Sequence, residues 1–274
     1  MTDLLGSEAG RDAMRVSPST PPGRRYFLTL AYKGTGFLGW QKQPSGRTVQ
    51  GVLEEALATI LRRETPVTGA GRTDTGVHAS RYICHLDLDR TPEEARELVF
   101  RANRLLPRDL RLYDIREVRP GAHARFDALS RSYGYYVTRR ATPFTYEEEV
   151  ELPATGLDFD RMNAAAEYLL GTHDFTTFSK GHSDVRTHLC TVTEARWIER
   201  SEEGQWLFRI TANRFLRNMV RATVGTLFEV GRGKLSPEGF RERLEARDRS
   251  LAGTSAPPQG LFLEEIVYPE GIYL

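Results

Sequence analysis

The chain has 274 residues, of which 39% are hydrophobic, 27% charged and 10% aromatic, a globular composition that excludes disordered, fibrous and collagenous classes. Its 38 basic residues against 37 acidic ones give a net charge of +1, which neither selects nor excludes a nucleic acid; only Lys33, Lys42, Lys180 and Lys234 are lysines, and the arginine excess suits planar contacts to phosphate. Two cysteines, Cys84 and Cys190, cannot build a disulfide framework or a Cys-rich zinc site, no apolar run reaches the roughly 20 residues of a membrane span, and a cytoplasmic protein with no membrane contact is expected.

The fold is expected to begin at Arg24. Residues 1–23 carry Asp3, Glu8 and Asp12 and end in Ser17-Pro18-Ser19-Thr20-Pro21-Pro22-Gly23, so they read as a flexible leader with Met14 as an alternative start. Tyr26 to Tyr32 predicts a buried strand followed by a glycine-rich turn. Thr48 is the predicted N-cap of a helix whose buried face holds Val49, Val52, Leu53, Ala56, Leu57, Ile60 and Leu61. Gly69 to Gly76 reads as a loop and Arg81 to Leu88 as a strand. Thr91 with Pro92, Glu93 and Glu94 opens a second helix that ends near Leu106-Pro107, and Arg111 to Val118 predicts another strand.

Pro120-Gly121 punctuates the chain and divides it into an N-terminal unit, 24–120, and a C-terminal unit, 121–274. In the second, Tyr133 to Arg139 predicts a strand and Asp160 to Leu170 a helix ended by Gly171. Ala195 to Ile198 and Trp206 to Ala212 flank Glu202-Glu203-Gly204 as a hairpin. Leu216, Met219, Val220, Thr223, Val224, Leu227 and Phe228 share the face of a last helix capped by Gly231, with Arg214, Arg217 and Arg221 as a basic stripe on it. Strands outnumber crossover helices in both units, so the fold class is α+β: two α/β subdomains with largely antiparallel sheets.

Three short motifs invite chemistry and fail on context. Gly34-Thr35-Gly36-Phe37-Leu38-Gly39 follows a strand, but Trp40 to Pro44 intervene before any helix can present its N-terminus to a pyrophosphate, so the glycines shape a turn. Asp74-Thr75-Gly76 matches an aspartic protease triplet without the second copy that a carboxylate dyad needs. His182, His188 and Cys190 fit no metal-ligand spacing, and no metal or cofactor is expected.

The longer run Gly69-Ala70-Gly71-Arg72-Thr73-Asp74-Thr75-Gly76-Val77-His78-Ala79, taken with Tyr32 to Gln41 upstream, resembles the two signature segments of the TruA family of tRNA pseudouridine synthases. The resemblance continues in family order. Its further segments are Ala124-Arg125-Phe126-Asp127-Ala128 with Arg131 and Tyr133, Gly171-Thr172-His173-Asp174-Phe175, Asn218-Met219-Val220-Arg221 with Val224-Gly225, and Ala256-Pro257-Pro258-Gln259-Gly260-Leu261. It spans roughly residues 26 to 263. One departure is Ala122 ahead of His123, where the family has an aromatic, a position expected near the cleft.

What the resemblance implies is the pseudouridine synthase fold with an active-site cleft between its subdomains, and isomerisation of uridine at positions 38, 39 and 40 of the tRNA anticodon arm by a homodimer. The N1–C1′ bond breaks, the base rotates, and C5 joins C1′. The resemblance makes Asp74 the catalytic carboxylate; attack on C1′ and removal of the C2′ proton both call for one carboxylate in that place. Tyr133 is implied as the residue stacked on the target uracil, with a part in proton removal from C5. Arg221 is implied as the ion-pair partner of Asp74, and Leu261 as the apolar closure of the pocket. Arg72, two residues before Asp74, would hold a phosphate or fill the space of a flipped base. Arg101, Arg104, Arg108 and Arg111, at 3-4-3 spacing, are candidates for an RNA-facing basic patch. An RNA-binding or RNA-folding protein on the same scaffold without essential catalysis is the alternative that intact Asp74, Tyr133 and Arg221 argue against.

Overall fold

The structure, a computed structural model, describes residues 23–152, 156–180, 187–201 and 204–274. The leader up to Pro22, His182 and the Glu202-Glu203 turn lie outside the described residues.

The N-terminal elements follow the chemistry of their sequence. Strand β1 is Arg24–Tyr32. Helix α1, Val49–Leu61, starts where Thr48 Oγ1 accepts from the Gly51 N–H at 3.2 Å, and it buries Val49, Leu53, Ala56 and Leu57. Full burial of a leucine such as Leu53 contributes about 1.5–3 kcal/mol. Strands β2, Thr68–Gly69, and β3, His78–Leu88, flank the loop that carries Asp74. Helix α2, Pro92–Leu105, opens on a complete capping box between Thr91 and Glu94. Asn103 on α2 then bonds both backbone groups of Leu112 and fixes the helix on β4, Leu110–Glu117.

The C-terminal half comprises β5 (Ser130–Thr138), β6 (Val150–Glu151), α3 (Phe159–Ala166), β7 (Gly171–Asp174), β8 (Leu189–Ser201), β9 (Gln205–Ala212), α4 (Met219–Gly231), α5 (Pro237–Glu245) and β10 (Leu261–Val267). The helix expected over 160–170 is α-helical only to Ala166 and tightens to a 3-10 turn before Leu170. Helix α4 ends at Gly231, and the left-handed glycine that follows is Gly233 rather than Gly231.

All the strands among the described residues join in one sheet, in the order β4-β1-β3-β10-β5-β9-β8-β7, with β2 on β3 and β6 on β5. Strand β10 makes the junction: it runs parallel to β3 through Phe262↔His78 and Leu263↔Ala79, and antiparallel to β5 through Leu261↔Tyr135 and Leu263↔Tyr133. Every other pairing along that order is antiparallel. The sheets expected separately in the two halves are therefore one sheet, because the C-terminal strand returns to its middle.

Two apolar cores lie along this sheet. The first gathers residues such as Tyr26, Leu30, Leu53, Tyr82 and Leu98, the second Tyr135, Phe178, Trp197, Phe208 and Leu227. Val77 belongs to the second core and Ala79 to the first; Leu261 belongs to the second and Leu263 to the first; Tyr133 packs against both. The seam between the cores thus runs past the end of the Asp74 loop. We propose 24–120 and 121–274 as the two units of the fold, with β10 and the chain to Leu274 as the part of the second unit that packs on the first.

Candidate active site

The loop from Ala70 to Val77 is held by close backbone contacts and by the hydroxyls of Tyr32 and Tyr82, the latter bonded to Gly71. Trp40 N–H donates to the Thr73 carbonyl at 3.2 Å, Val77 N–H donates to the Asp74 carbonyl at 3.1 Å, and Tyr32 Oη and Thr73 Oγ1 share a buried bond of 2.9 Å. The glycine-rich turn is the platform beneath it. A Cβ on Gly34 would overlap the Val77 carbonyl, and one on Gly39, whose φ is +86°, would overlap the Thr73 carbonyl. The turn expected at Gly34 to Gly39 therefore has a specific purpose: its backbone seats the loop.

His78 completes the seat. Its Nδ1 accepts from the Gly34 N–H at 3.1 Å, its ring stacks on Phe262 at 4.5 Å, and burial lowers its pKa, so the neutral ring that this bond requires is the favoured form.

Asp74 points from this loop toward α4. Its carboxylate is 32% exposed, lies 3.7 Å from Arg221 Nη1, and accepts no hydrogen bond among the described residues. Arg221 is fixed from behind: its Nε donates to the Ala256 carbonyl at 2.7 Å, and its own carbonyl accepts from the Ala256 N–H at 2.9 Å. The segment before Leu261 is in turn pressed on α4, where a Cβ on Gly225 would overlap the Thr254 carbonyl, and Pro258 would lie 2.9 Å from a Cβ on Gly76. One stretch, 254–258, thus touches both Arg221 and the loop that carries Asp74.

Tyr133 stands beside them on β5, edge-on to Phe215 at 5.0 Å. Burial, opposed by Arg131 and reinforced by the charge of Asp74, pushes its phenol up to about 12, so at neutral pH it is a protonated donor and not a ready base.

The other expected positions separate. Arg72 is exposed and makes no side-chain bond to a described residue. Leu261 is buried in the second core, at the start of β10 and opposite Tyr135. Arg221 lies in the first turn of α4, not mid-helix, and α5 follows it; Arg214 and Arg217 precede the helix, so no helical stripe exists. Arg101 and Arg104 lie on α2, while Arg108 follows it and Arg111 is on β4, all four exposed but not on one helix face. Ala122, the departure from the family pattern, is fully buried in the first core, and its carbonyl accepts from Arg25 at 3.0 Å. Gly171 to Asp174 form the edge strand β7. Sequence reasoning missed Phe215, Pro258 and His78 as parts of the site; the only signal for them was their place inside the family segments or beside them.

A family model described as tRNA pseudouridine synthase matches residues 165–269, a stretch that includes Arg221 and lies C-terminal to both Asp74 and Tyr133. Its class is that of an isomerase that converts uridine in tRNA to pseudouridine. The tRNA pseudouridine synthase A of Porphyromonas gingivalis is 53% identical over 251 residues, covering 91% of this chain and 99% of that one. That of Parabacteroides distasonis is 53% identical over 254 residues (91% and 98%), and that of Bacillus pumilus 39% identical over 250 (88% and 97%). The chain belongs to the tRNA pseudouridine synthase A family. A solved Cbf5-Nop10-Gar1 complex overlaps at 12% identity and a TM-score of 0.34, with 86% of this chain and 57% of that one covered.

Proposed function

We propose that this synthase isomerises uridine at positions 38, 39 and 40 of the tRNA anticodon stem-loop, with Asp74 as its catalytic group. The observation that supports this most is the carboxylate itself: partly exposed, without a hydrogen bond from any described residue, and faced by a guanidinium at 3.7 Å. Such a group keeps lone pairs free for C1′ or the C2′ proton of a flipped nucleotide. Tyr133 stacks on the uracil and takes part in moving the proton that leaves C5. Arg221 offsets the cost of desolvating Asp74 when the base seals the cleft. Leu261 backs the pocket wall from the second core, and Arg72, exposed on the same loop, meets the RNA. The reaction moves a bond within one nucleotide and calls for no oxidant, reductant or energy source, so it proceeds without an added cofactor and with EDTA present on pre-folded RNA. We further propose that the enzyme works in the cytoplasm as a homodimer, sedimenting at twice the 31.1 kDa chain mass.

The test is to incubate pure protein with unmodified tRNA transcript and map pseudouridine by nucleotide. Wild type is expected to modify the three positions and Asp74→Asn none. Product at other sites only would overturn the positional reading. Tight binding without product would favour the RNA-binding or RNA-folding alternative.

A further inference from the structure

We propose that Phe126 is a stacking platform for an unpaired base of the tRNA substrate beside the isomerised uridine, an inference that rests on the loop of Asp74 being the active site. Phe126 is 73% exposed. A lone exposed aromatic is unremarkable on a loose loop, but this one sits on a segment anchored at nearly every residue.

His123 N–H donates to Asp127 Oδ2 at 2.9 Å, and Asp127 N–H returns a bond to the His123 carbonyl at 3.0 Å. Ala124 N–H donates to His85 Nδ1 at 3.1 Å, while its carbonyl accepts from Tyr268 Oη at 2.6 Å. The Arg125 and Phe126 N–H groups both point at His123 Nδ1, at 3.1 and 3.4 Å. The His123 ring lies 4.3 Å from the Phe126 ring and backs it. The phenyl face is therefore fixed before any ligand arrives, so little ordering cost attends stacking.

Its neighbourhood is that of nucleic acid. The Arg125 guanidinium stands 5.6 Å from the ring centroid, near enough to add positive charge and, given the ring's exposure, without covering it. A flat aromatic face beside a cation is the combination that holds unpaired bases irrespective of sequence.

Position ties the platform to the chemistry. Arg131 Nη2 donates to the Arg125 carbonyl at 2.6 Å and to the Ala70 carbonyl at 3.2 Å, which sets the two segments side by side. Ala70 opens the loop of Asp74, and Arg131 also lies close enough to Tyr133 to act on its phenol. A nucleotide flipped toward Asp74 leaves a neighbour unstacked in the RNA, and Phe126 offers that neighbour a new face.

The experiment compares Phe126→Ala and Phe126→Trp with wild type, measuring affinity for unmodified tRNA transcript at several salt concentrations and the steady-state rate. With one stacked base lost, the alanine variant is expected to raise Kd and KM roughly tenfold, about 1.4 kcal/mol. Its kcat should stay within about threefold, and its salt slope should match wild type, since no phosphate contact is lost. The tryptophan variant is expected to bind as wild type and to show indole quenching beyond the wild-type change. Unchanged Kd and KM in the alanine variant, or no added quenching in the tryptophan variant, would overturn the proposal; if alanine unfolds the protein, the quenching decides. A shifted oligomeric state with unchanged KM would make the ring a protomer contact and also overturn it. Full turnover in Asp74→Asn would instead refute the active-site reading, while a Kd effect at Phe126 would still mark an RNA contact.

Discussion

Asp74 and Asp87 each face an arginine, and the two pairs are built to opposite ends. Asp87 lies directly across from Arg25 in the β1–β3 register and takes both of its bonds, Nε to Oδ1 at 2.7 Å and Nη2 to Oδ2 at 2.8 Å. This bidentate pair closes the carboxylate and lowers its pKa through the Arg25 hydrogen bonds. Asp74 meets Arg221 by one nitrogen at 3.7 Å, and that arginine spends its Nε on the Ala256 carbonyl. Its charge is balanced while its oxygens stay free. The difference separates a pair that joins two strands from a pair that leaves its carboxylate open, as the proposed catalytic role of Asp74 requires.

The largest test of that contrast is Asp74→Asn. The substitution is isosteric and the phosphate contacts that dominate RNA affinity lie elsewhere, so turnover is expected to vanish with Kd nearly unchanged. Turnover within tenfold of wild type, in a pseudouridine release assay, would remove Asp74 from the chemistry.

Tyr133→Phe comes next. It keeps the ring against Phe215 and deletes the hydroxyl, so RNA binding should persist while kcat falls roughly 100- to 10,000-fold if the phenol moves a proton. With the phenol pushed up to about 12, it stays protonated from pH 6 to 9, and the wild-type rate should show no titration of this group there. An unchanged kcat in the variant would reduce Tyr133 to packing between the cores.

Much of this was legible because local chemistry and tertiary packing agreed. The caps at Thr48 and Thr91 are read directly from residue type, and both helices start there. Asp74 and Arg221 were found through family segments, not through periodicity, since a loop aspartate and a helix-start arginine have no pattern of their own. What could not be read depends on long-range closure. Nothing local says that Leu261–Val267 returns to pair with both β3 and β5, and that return alone fuses the halves into one sheet and carries Pro258 to Gly76. The arginine stripe failed for a related reason: Asn218, at φ +65°, stops the helix from reaching back over Arg217 and Arg214.

Arg221→Met has a smaller expected effect. It keeps the apolar stem but loses both the charge facing Asp74 and the bond to Ala256. Turnover should fall roughly tenfold or more, because the bound base then desolvates an unbalanced carboxylate, while the salt dependence of RNA binding stays that of wild type. A shallower salt slope with a normal single-turnover rate would show Arg221 to be a phosphate contact instead.

The smallest effect belongs to the pair that resembles Asp74–Arg221 only on paper. Asp87→Asn breaks the bidentate link, but the Asp87 side chain is 50% exposed, so the loss is that of a surface pair, about 0–1 kcal/mol, or at most a few degrees in Tm. The pH dependence carries the sign. Arg25 lowers the folded-state pKa of Asp87, so the contribution is fully present above the unfolded carboxylate value near 3.9 and is lost as pH falls through the folded value. The stability gap between wild type and variant should therefore be constant from pH 7 down to about 5, then narrow below about 4, and it should shrink with added salt at every pH. Thermal melts at low ionic strength measure it. Turnover should be unaffected, because Arg25 on β1 and Asp87 on β3 pair at the opposite end of β1 from Tyr32, on which the Asp74 loop is anchored through Thr73. A large loss of turnover in Asp87→Asn would mean that strand β1 transmits strain along its length to the loop, and the two pairs could no longer be treated as separate devices.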